Sequence, residues 1–337
     1  MNDLTFQHRG QTITLHPGEA WTPAQAGDTY RDTSANELWE IVRAVRAGQP
    51  WREVVAARYE KSNPWLHQIV TSPKRDLFFR QHPPKAGAQA LDIGSGWGQI
   101  ALPLARDAKC NVVALEPTPE RLAFIQAVAE QEGISKQMNF LQTDFFDIEL
   151  QSRFDLVTCI GVLEWVAKFR TGDPRAIQLD FLRRAKKLLA PHGQLVIGIE
   201  NRLGLKYLLG AADDHIGAAN VAVYEAPFAS AKWLQQTGQS LRSFTFTRAE
   251  LESLFRDAGF HQLTFFSALP DYKLPEKILP LGSETNTFLA NGPFIPEHDG
   301  TNGRPLAIQA ELQSHYRSLA ALGIASDFAP SFFVQAS

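Results

Sequence analysis

Short apolar runs and segments of helical period alternate along most of this chain. Residues 91–93, 111–115, 138–142, 154–160 and 195–199 are compact runs rich in Val, Ile, Leu and Phe, and they predict strands. Between them, residues 119–131 run up to Gly133 and residues 180–189 carry Arg and Lys toward their end, as helices do. Continuous apolar strands separated by helices predict a parallel sheet covered on both faces. Residues 247–259 open with Thr247 three positions before Glu250, a capping box, and close on a glycine, so they predict a helix. Residues 261–267 and 331–335 read as two further strands.

The first part of the chain is patterned differently. Residues 4–15 alternate around Arg9 and Gly10 and predict a hairpin. Ser34 caps a helix over 35–46, and 51–80 reads as helices interrupted at Pro64 and Pro73. Residues 81–89, containing H-P-P-K-A-G-A, form a linker. The expected organisation is a hairpin and helical extension over 1–85, then an α/β core over 86–337 with long excursions at 201–242 and 268–329. Excursions of that length at sheet ends carry function more often than not.

Composition narrows the classes. With 337 residues and 44% hydrophobic content, the chain can bury a large core. Lys and Arg number 33 against 36 Asp and Glu, without a basic block, so nucleic acid is not an expected partner. The two cysteines, Cys110 and Cys159, are too far apart for a metal knuckle and fit a cytoplasmic setting. The start has no signal-peptide pattern, and no apolar run reaches the ~20 residues of a membrane span.

The strand at 91–93 runs into Gly94, Gly96 and Gly98, a glycine loop suited to close approach of a nucleotide. A dinucleotide fingerprint would place a glycine three positions beyond Gly96, where this chain has Gln99, which argues against a nicotinamide oxidoreductase. With Asp92 two residues before Gly94, the stretch L-D-I-G-S-G-W-G resembles the first motif of class I S-adenosylmethionine-dependent methyltransferases. The resemblance covers residues 90–200 and continues through L-L-A-P-H-G-Q-L-V-I-G at 188–198.

What it implies can be placed residue by residue. Asp92, Gly94, Ser95, Gly96 and Gly98 would cradle the cofactor, S-adenosyl-L-methionine. Glu116, followed by Pro117, would accept hydrogen bonds from both ribose hydroxyls; Asp144 would receive the adenine amino group, with Phe145 against the ring. Ile160 and Gly161, in I-G-V-L-E-W, would line the methionine half. The implied fold is a Rossmann-like seven-stranded sheet whose antiparallel seventh strand lies between the fifth and sixth, with both excursions over the active site.

The excursions should select the acceptor. E-N-R-L-G-L-K-Y at 200–207, D-D-H-I-G at 213–217 and L-P-D-Y-K-L-P at 269–275 resemble a bacterial branch associated with polysaccharide and cell-surface glycan assembly. That resemblance implies O-methylation of a sugar hydroxyl, with glycan-assembly enzymes as partners. An alcohol attacks poorly until its proton is removed, and His215, oriented by Asp214, is the candidate base with no metal. The alternatives are a magnesium site of Asp213, Asp214 and His215, or a solvated loop. Glu164, Asn201 and Tyr272 are candidate acceptor contacts. Arg75, Arg202, Asp271 and Lys273 have surface readings beside functional ones, and Trp21, Trp233, Phe244 and Phe246 are sugar platforms or core.

Two other functions fit the same core: methylation of a small molecule, lipid or natural product, and a non-catalytic cofactor-binding module. Nucleic-acid methylation is disfavoured, since residues 160–165 lack an Asn or Asp-Pro-Pro-aromatic run and the chain has no Pro-Cys pair.

Overall fold

A computed structural model describes residues 2–23 and 31–337. The chain divides into two units, one formed by Met1–Cys159 with Lys187–Leu195, the other by Ile160–Lys186 with Val196–Ser337.

The first unit opens with β1 (Leu4–His8) and β2 (Gln11–Leu15), joined at Arg9 and Gly10. Both joint residues have positive φ, 48° and 79°, the backbone of a two-residue turn whose twist matches that of the strands. β3 (Ala20–Trp21) follows, then α1 (Ala35–Arg46), α2 (Trp51–Tyr59), α3 (Pro64–Thr71) and α4 (Leu77–Gln81). Ser34 caps α1 by accepting from the Glu37 amide, and Leu38, Ile41, Val42 and Val45 form its buried stripe. The α/β part consists of β4 (Gln89–Ile93), α5 (Ala101–Arg106), β5 (Asn111–Leu115), α6 (Pro119–Gln131), β6 (Met138–Leu141), β7 (Ile148–Leu150) and β8 (Phe154–Ile160). Its strands lie in the order β8-β4-β5-β6-β3, all parallel. Consequently β4 and β5 are buried almost end to end, which is why they read as continuous apolar runs.

The second unit contains α7 (Pro174–Lys187), the C-terminal half of β9 (Leu189–Glu200), α8 (Leu205–Leu208), α9 (Ala226–Thr237) and α10 (Arg248–Asp257). After them come β10 (Leu263–Leu269), β11 (Lys277–Pro280), α11 (Ser283–Asn291), α12 (Gln309–Ala321) and β12 (Ser331–Ala336). The strand order is β11-β10-β12-β9, and β12 runs antiparallel to β10 from Leu263↔Ala336 to Ala268↔Ser331. The last strand of the chain is therefore inserted beside β9, as the sequence resemblance implies. Both halves of the capping box at α10 are made, Thr247 accepting from the Glu250 amide and Glu250 from the Thr247 amide.

Several boundaries differ from expectation. Two strands exceed the expected seven: β3 is too short to show alternation, and β11 ends in Pro280, as an edge strand tolerates. β1 also pairs with β7, which turns the hairpin into a three-stranded sheet. α7 starts at Pro174 rather than residue 180, and β9 starts at Leu189 rather than residue 195. Exposed Pro191 and His192 conceal that strand start, and His192 adopts a φ of 67° there. The excursion after β9 holds α8 and α9. That between β10 and β12 holds β11, α11 and α12, with Leu205, Leu312, Tyr316 and Ala325 as a local core. Among the described residues no helix is long and apolar enough to cross a membrane.

Candidate functional site

The chemistry-bearing residues gather in two places, one in each unit. In the first, the loop after β4 is tied to the end of β5, the amides of Gly94 and Ser95 both donating to the Leu115 carbonyl at 2.8 and 3.0 Å. Gly94, Gly96 and Gly98 all have positive φ, 71°, 56° and 84°, which only glycine adopts freely. A Cβ on Gly98 would strike the Leu102 side chain at 2.8 Å, whereas one on Gly96 would make only ordinary contact, at 3.6 Å from Gln99 Oε1.

Asp92 lies beneath this loop, 2% exposed. Its Oδ1 accepts from the Thr158 hydroxyl at 2.6 Å, while Oδ2 is buried without a hydrogen-bond partner. Burial pushes the carboxyl up to about 6, against the opposing pull of Thr158, Ser95 and Arg75. Glu116, at the end of β5, accepts from the Gly96 amide at 2.8 Å and the Thr118 amide at 3.0 Å. Each of its oxygens can accept a second donor. Burial raises this carboxyl too, opposed by Arg121 and those amides. Pro117 is half-buried beside it. Asp144 accepts from the Phe146 amide at 2.9 Å, and Phe145 is buried.

One feature of the cradle escapes sequence reading. The Trp97 indole, between Gly96 and Gly98, donates to Asp32 at 3.0 Å, and Asp32 is paired with Arg121 at 2.8 Å. Arg31 pairs with buried Glu120 at 2.6 Å. Arg31 and Asp32 are thus tied to α6, and Asp32 also to the glycine loop.

The second cluster is built on the segment after β8, the end of β9 and the two excursions. Glu164 and Glu200 are buried, and the His215 side chain is 4% exposed. His215 Nε2 stands 3.4 Å from Glu200 Oε2 and 3.6 Å from Glu164 Oε1, and its Nδ1 stands 3.4 Å from Asp213 Oδ1. Asp213 Oδ1 also accepts the amides of His215 and Ile216 at 2.8 and 3.1 Å, and the Trp165 ring lies 4.9 Å from the imidazole. The Tyr272 hydroxyl donates to Glu164 Oε1 at 3.4 Å. Lys273 holds Glu200 Oε1, and it reaches Asp214 at 2.9 Å and Asp271 at 3.5 Å. Glu164 Oε2 and Glu200 Oε2 are buried without hydrogen-bond partners.

Burial alone would lower the His215 pKa, but the Glu200 charge and contacts with Asp213 and Glu164 outweigh it and hold the ring well above its usual value. Glu164 is raised by burial, reinforced by Glu200. Burial would raise Glu200 as well, yet Lys273 and His215 keep it well below the usual range. Asp214 falls to about 2 under Lys273 and Lys206, despite its burial.

Several expected roles change on this geometry. Asp213, not Asp214, faces His215; Asp214 turns to Lys273 and, at 3.5 Å, to Lys206. The three residues Asp213, Asp214 and His215 therefore do not converge, and the convergent set is Glu164, Glu200 and His215. The contacts of His215 favour the protonated ring over the neutral one, and it sits within a set of carboxylates rather than as a lone base. The Asn201 amide nitrogen donates to the Asp327 and Ala329 carbonyls, both at 2.8 Å, and its oxygen accepts the Leu203 amide, so it braces a loop. Arg202 is a two-pronged partner of Glu250. Gly161, with φ 73°, packs beneath Tyr272, and Ile160 is buried in front of Gly198. Trp233 and Phe244 pack on the Val221, Ala229 and Leu241 cluster, Phe246 is buried, and Trp21 stacks edge-on with Phe6 and His8.

Glu200 stands beside His215, held in turn by Lys273, and sequence reading gave Glu200 no role. The signal was present, because Glu200 ends a strand as Glu116 follows one.

Residues 84–258, more than half of the chain, match a family described as a methyltransferase domain. A ubiquinone biosynthesis O-methyltransferase of Azorhizobium caulinodans is 27% identical over 218 residues, 64% of this chain and 76% of that protein. The enzyme of the same name from Rickettsia conorii is 29% identical over 122 residues, 36% of this chain and 38% of its own length. The match thus spans less than half of the Rickettsia relative. Among solved structures, Haemonchus contortus phosphoethanolamine N-methyltransferase 2 in complex with S-adenosyl-L-methionine is 16% identical, with a TM-score of 0.45, over 86% of this chain and 60% of that one.

Proposed function

The chain belongs to the methyltransferase-domain family and is an S-adenosylmethionine-dependent methyltransferase; from that premise we propose that it methylates a hydroxyl oxygen of a polyhydroxylated acceptor, a sugar of a bacterial glycan or glycan precursor. The observation that carries this reading is the buried Glu164 carboxylate, whose Oε2 has no hydrogen-bond partner, beside the His215–Glu200 pair. An unsatisfied buried acceptor costs about 1–3 kcal/mol, and a hydroxyl delivers the missing hydrogen. Around them the frame is polar: Lys206, Tyr207, Asp213, Asp214, Asp271 and Lys273 are buried or nearly so. Such a lining suits an acceptor with several hydroxyls better than a flat apolar one.

The donor side fits the cofactor. Asp92 Oδ2 is buried and unsatisfied, and Glu116 retains accepting capacity on both oxygens. Asp92 with Gly94, Ser95, Gly96 and Gly98 would hold the cofactor, Glu116 and Pro117 its ribose, Asp144 and Phe145 its adenine. The cofactor supplies an electrophilic methyl on sulfur. The chain's own residues bring up the oxygen: Glu164, steadied by Tyr272, accepts the hydroxyl hydrogen, and His215, fixed by Asp213, orients the acceptor beside it. The phrases at 200–207, 213–217 and 269–275 support a glycan precursor, with glycan-assembly enzymes as partners. The curated relatives support a second reading, a ring hydroxyl in quinone biosynthesis.

The test is methyl transfer from labelled S-adenosylmethionine to two acceptor sets, nucleotide sugars with glycan fragments and catechol-type quinone precursors. Label on a sugar oxygen is the expected result, and label confined to the catechols would replace the sugar with the second reading.

A further inference from the structure

We propose that Glu164, Glu200 and His215 bind a divalent first-row cation of the zinc or manganese class. The inference rests on the reading of this cluster as the acceptor's seat and adds what holds the acceptor oxygen there.

Spacing is the first argument. One donor atom from each of the three side chains lies within 4.8 Å of the others. His215 Nε2 is 3.4 Å from Glu200 Oε2. Hydrogen bonds between such atoms run at about 2.7–3.2 Å, so this contact is long for direct bonding. Two donors held about 2.1 Å from one cation at a tetrahedral angle stand about 3.4 Å apart, which is the spacing found.

The second argument is independent of the cluster's charge. Glu164 is fully buried and Glu200 is 1% exposed, yet each leaves Oε2 without a hydrogen-bond partner. The opposite oxygens are held from behind, Glu164 Oε1 by the Tyr272 hydroxyl and Glu200 Oε1 by Lys273. His215 has the matching arrangement, with Nδ1 toward Asp213 and Nε2 toward the carboxylates. A carboxylate behind the distal ring nitrogen, with outer partners behind each carboxylate ligand, is how protein metal sites fix their donors. One imidazole with two carboxylates suits zinc or manganese better than magnesium, which prefers oxygen and retained water. Three protein donors leave a position for a hydroxyl oxygen, whose proton a bound cation makes easier to remove.

The experiment uses the full chain, stripped with a chelator and returned to metal-free buffer, then titrated calorimetrically with ZnCl2 and separately with MnCl2. The expected result is one equivalent bound for at least one ion, with affinity at least tenfold weaker in Glu164→Gln and in His215→Ala. Thermal melts establish that the variants are folded, and if His215→Ala is not, Glu164→Gln decides alone. No stoichiometric uptake by the wild type, or equal uptake by Glu164→Gln, overturns the cation site. Methyl transfer that survives stripping, without ion uptake, removes the cation and leaves the acceptor reading in place. Ion uptake by the wild type, lost in Glu164→Gln, without transfer to any hydroxyl upholds the cation and removes the acceptor reading.

Discussion

Two residues concentrate the physical tension of the fold. Gly161 has φ 73°, and a Cβ there would lie 2.6 Å from the Tyr272 hydroxyl. Gly161→Ala should therefore cost about 2–4 kcal/mol in denaturant unfolding, from overpacking and the left-handed backbone. Adding Tyr272→Phe should restore part of that loss, since the hydroxyl is the nearest atom; no recovery would mean that backbone strain alone sets the cost. Asp92 is the second. With its folded pKa at about 6 against 3.8 unperturbed, the folded chain binds this proton more tightly than the unfolded one. Its contribution to stability therefore grows as pH falls from about 7 toward 4. Asp92→Asn should raise the melting temperature at pH 7.5, narrow the difference between pH 5 and pH 7.5, and weaken S-adenosylmethionine binding in calorimetry. An unchanged pH difference would contradict the assignment. The cradle was legible in the sequence because its residues are local, ordered by one strand and its turn. The second cluster was legible only in fragments, because Glu164, Glu200, His215, Tyr272 and Lys273 come together only through the fold.

At the scale of elements, legibility follows the range of the forces that define each one. α1 and α10 were readable because caps and periodic stripes act within one or two turns. β3 and the first half of β9 exist through pairing with distant strands, which no local pattern reports, and β11 is a four-residue partner of β10, too short to show alternation. The helix α10 offers a direct check. Thr247→Ala removes the cap on the Glu250 amide and should cost about 1 kcal/mol. Glu250→Ala should cost more, because Glu250 also holds Arg202 through both carboxylate oxygens. Equal losses in urea melts would mean that the Arg202 pair contributes nothing measurable.

For the whole molecule, the proposed seat of the methyl donor is the glycine cradle, and that of the acceptor oxygen is the Glu164–Glu200–His215 cluster. Family membership fixes the reaction class, while the acceptor depends on excursions with long-range contacts and little local signature. Glu164 ties the two halves of the claim together, since it is the carboxylate assigned to the acceptor hydrogen. The most direct measurement is transfer of an isotopically labelled methyl group onto a sugar acceptor by wild type and Glu164→Gln, with the product tested for stability to mild base. The account predicts a base-stable methyl ether from the wild type and at least a hundredfold slower transfer by Glu164→Gln at unchanged S-adenosylmethionine affinity. A base-labile ester, a methylated nitrogen, or equal rates for the two proteins would contradict it.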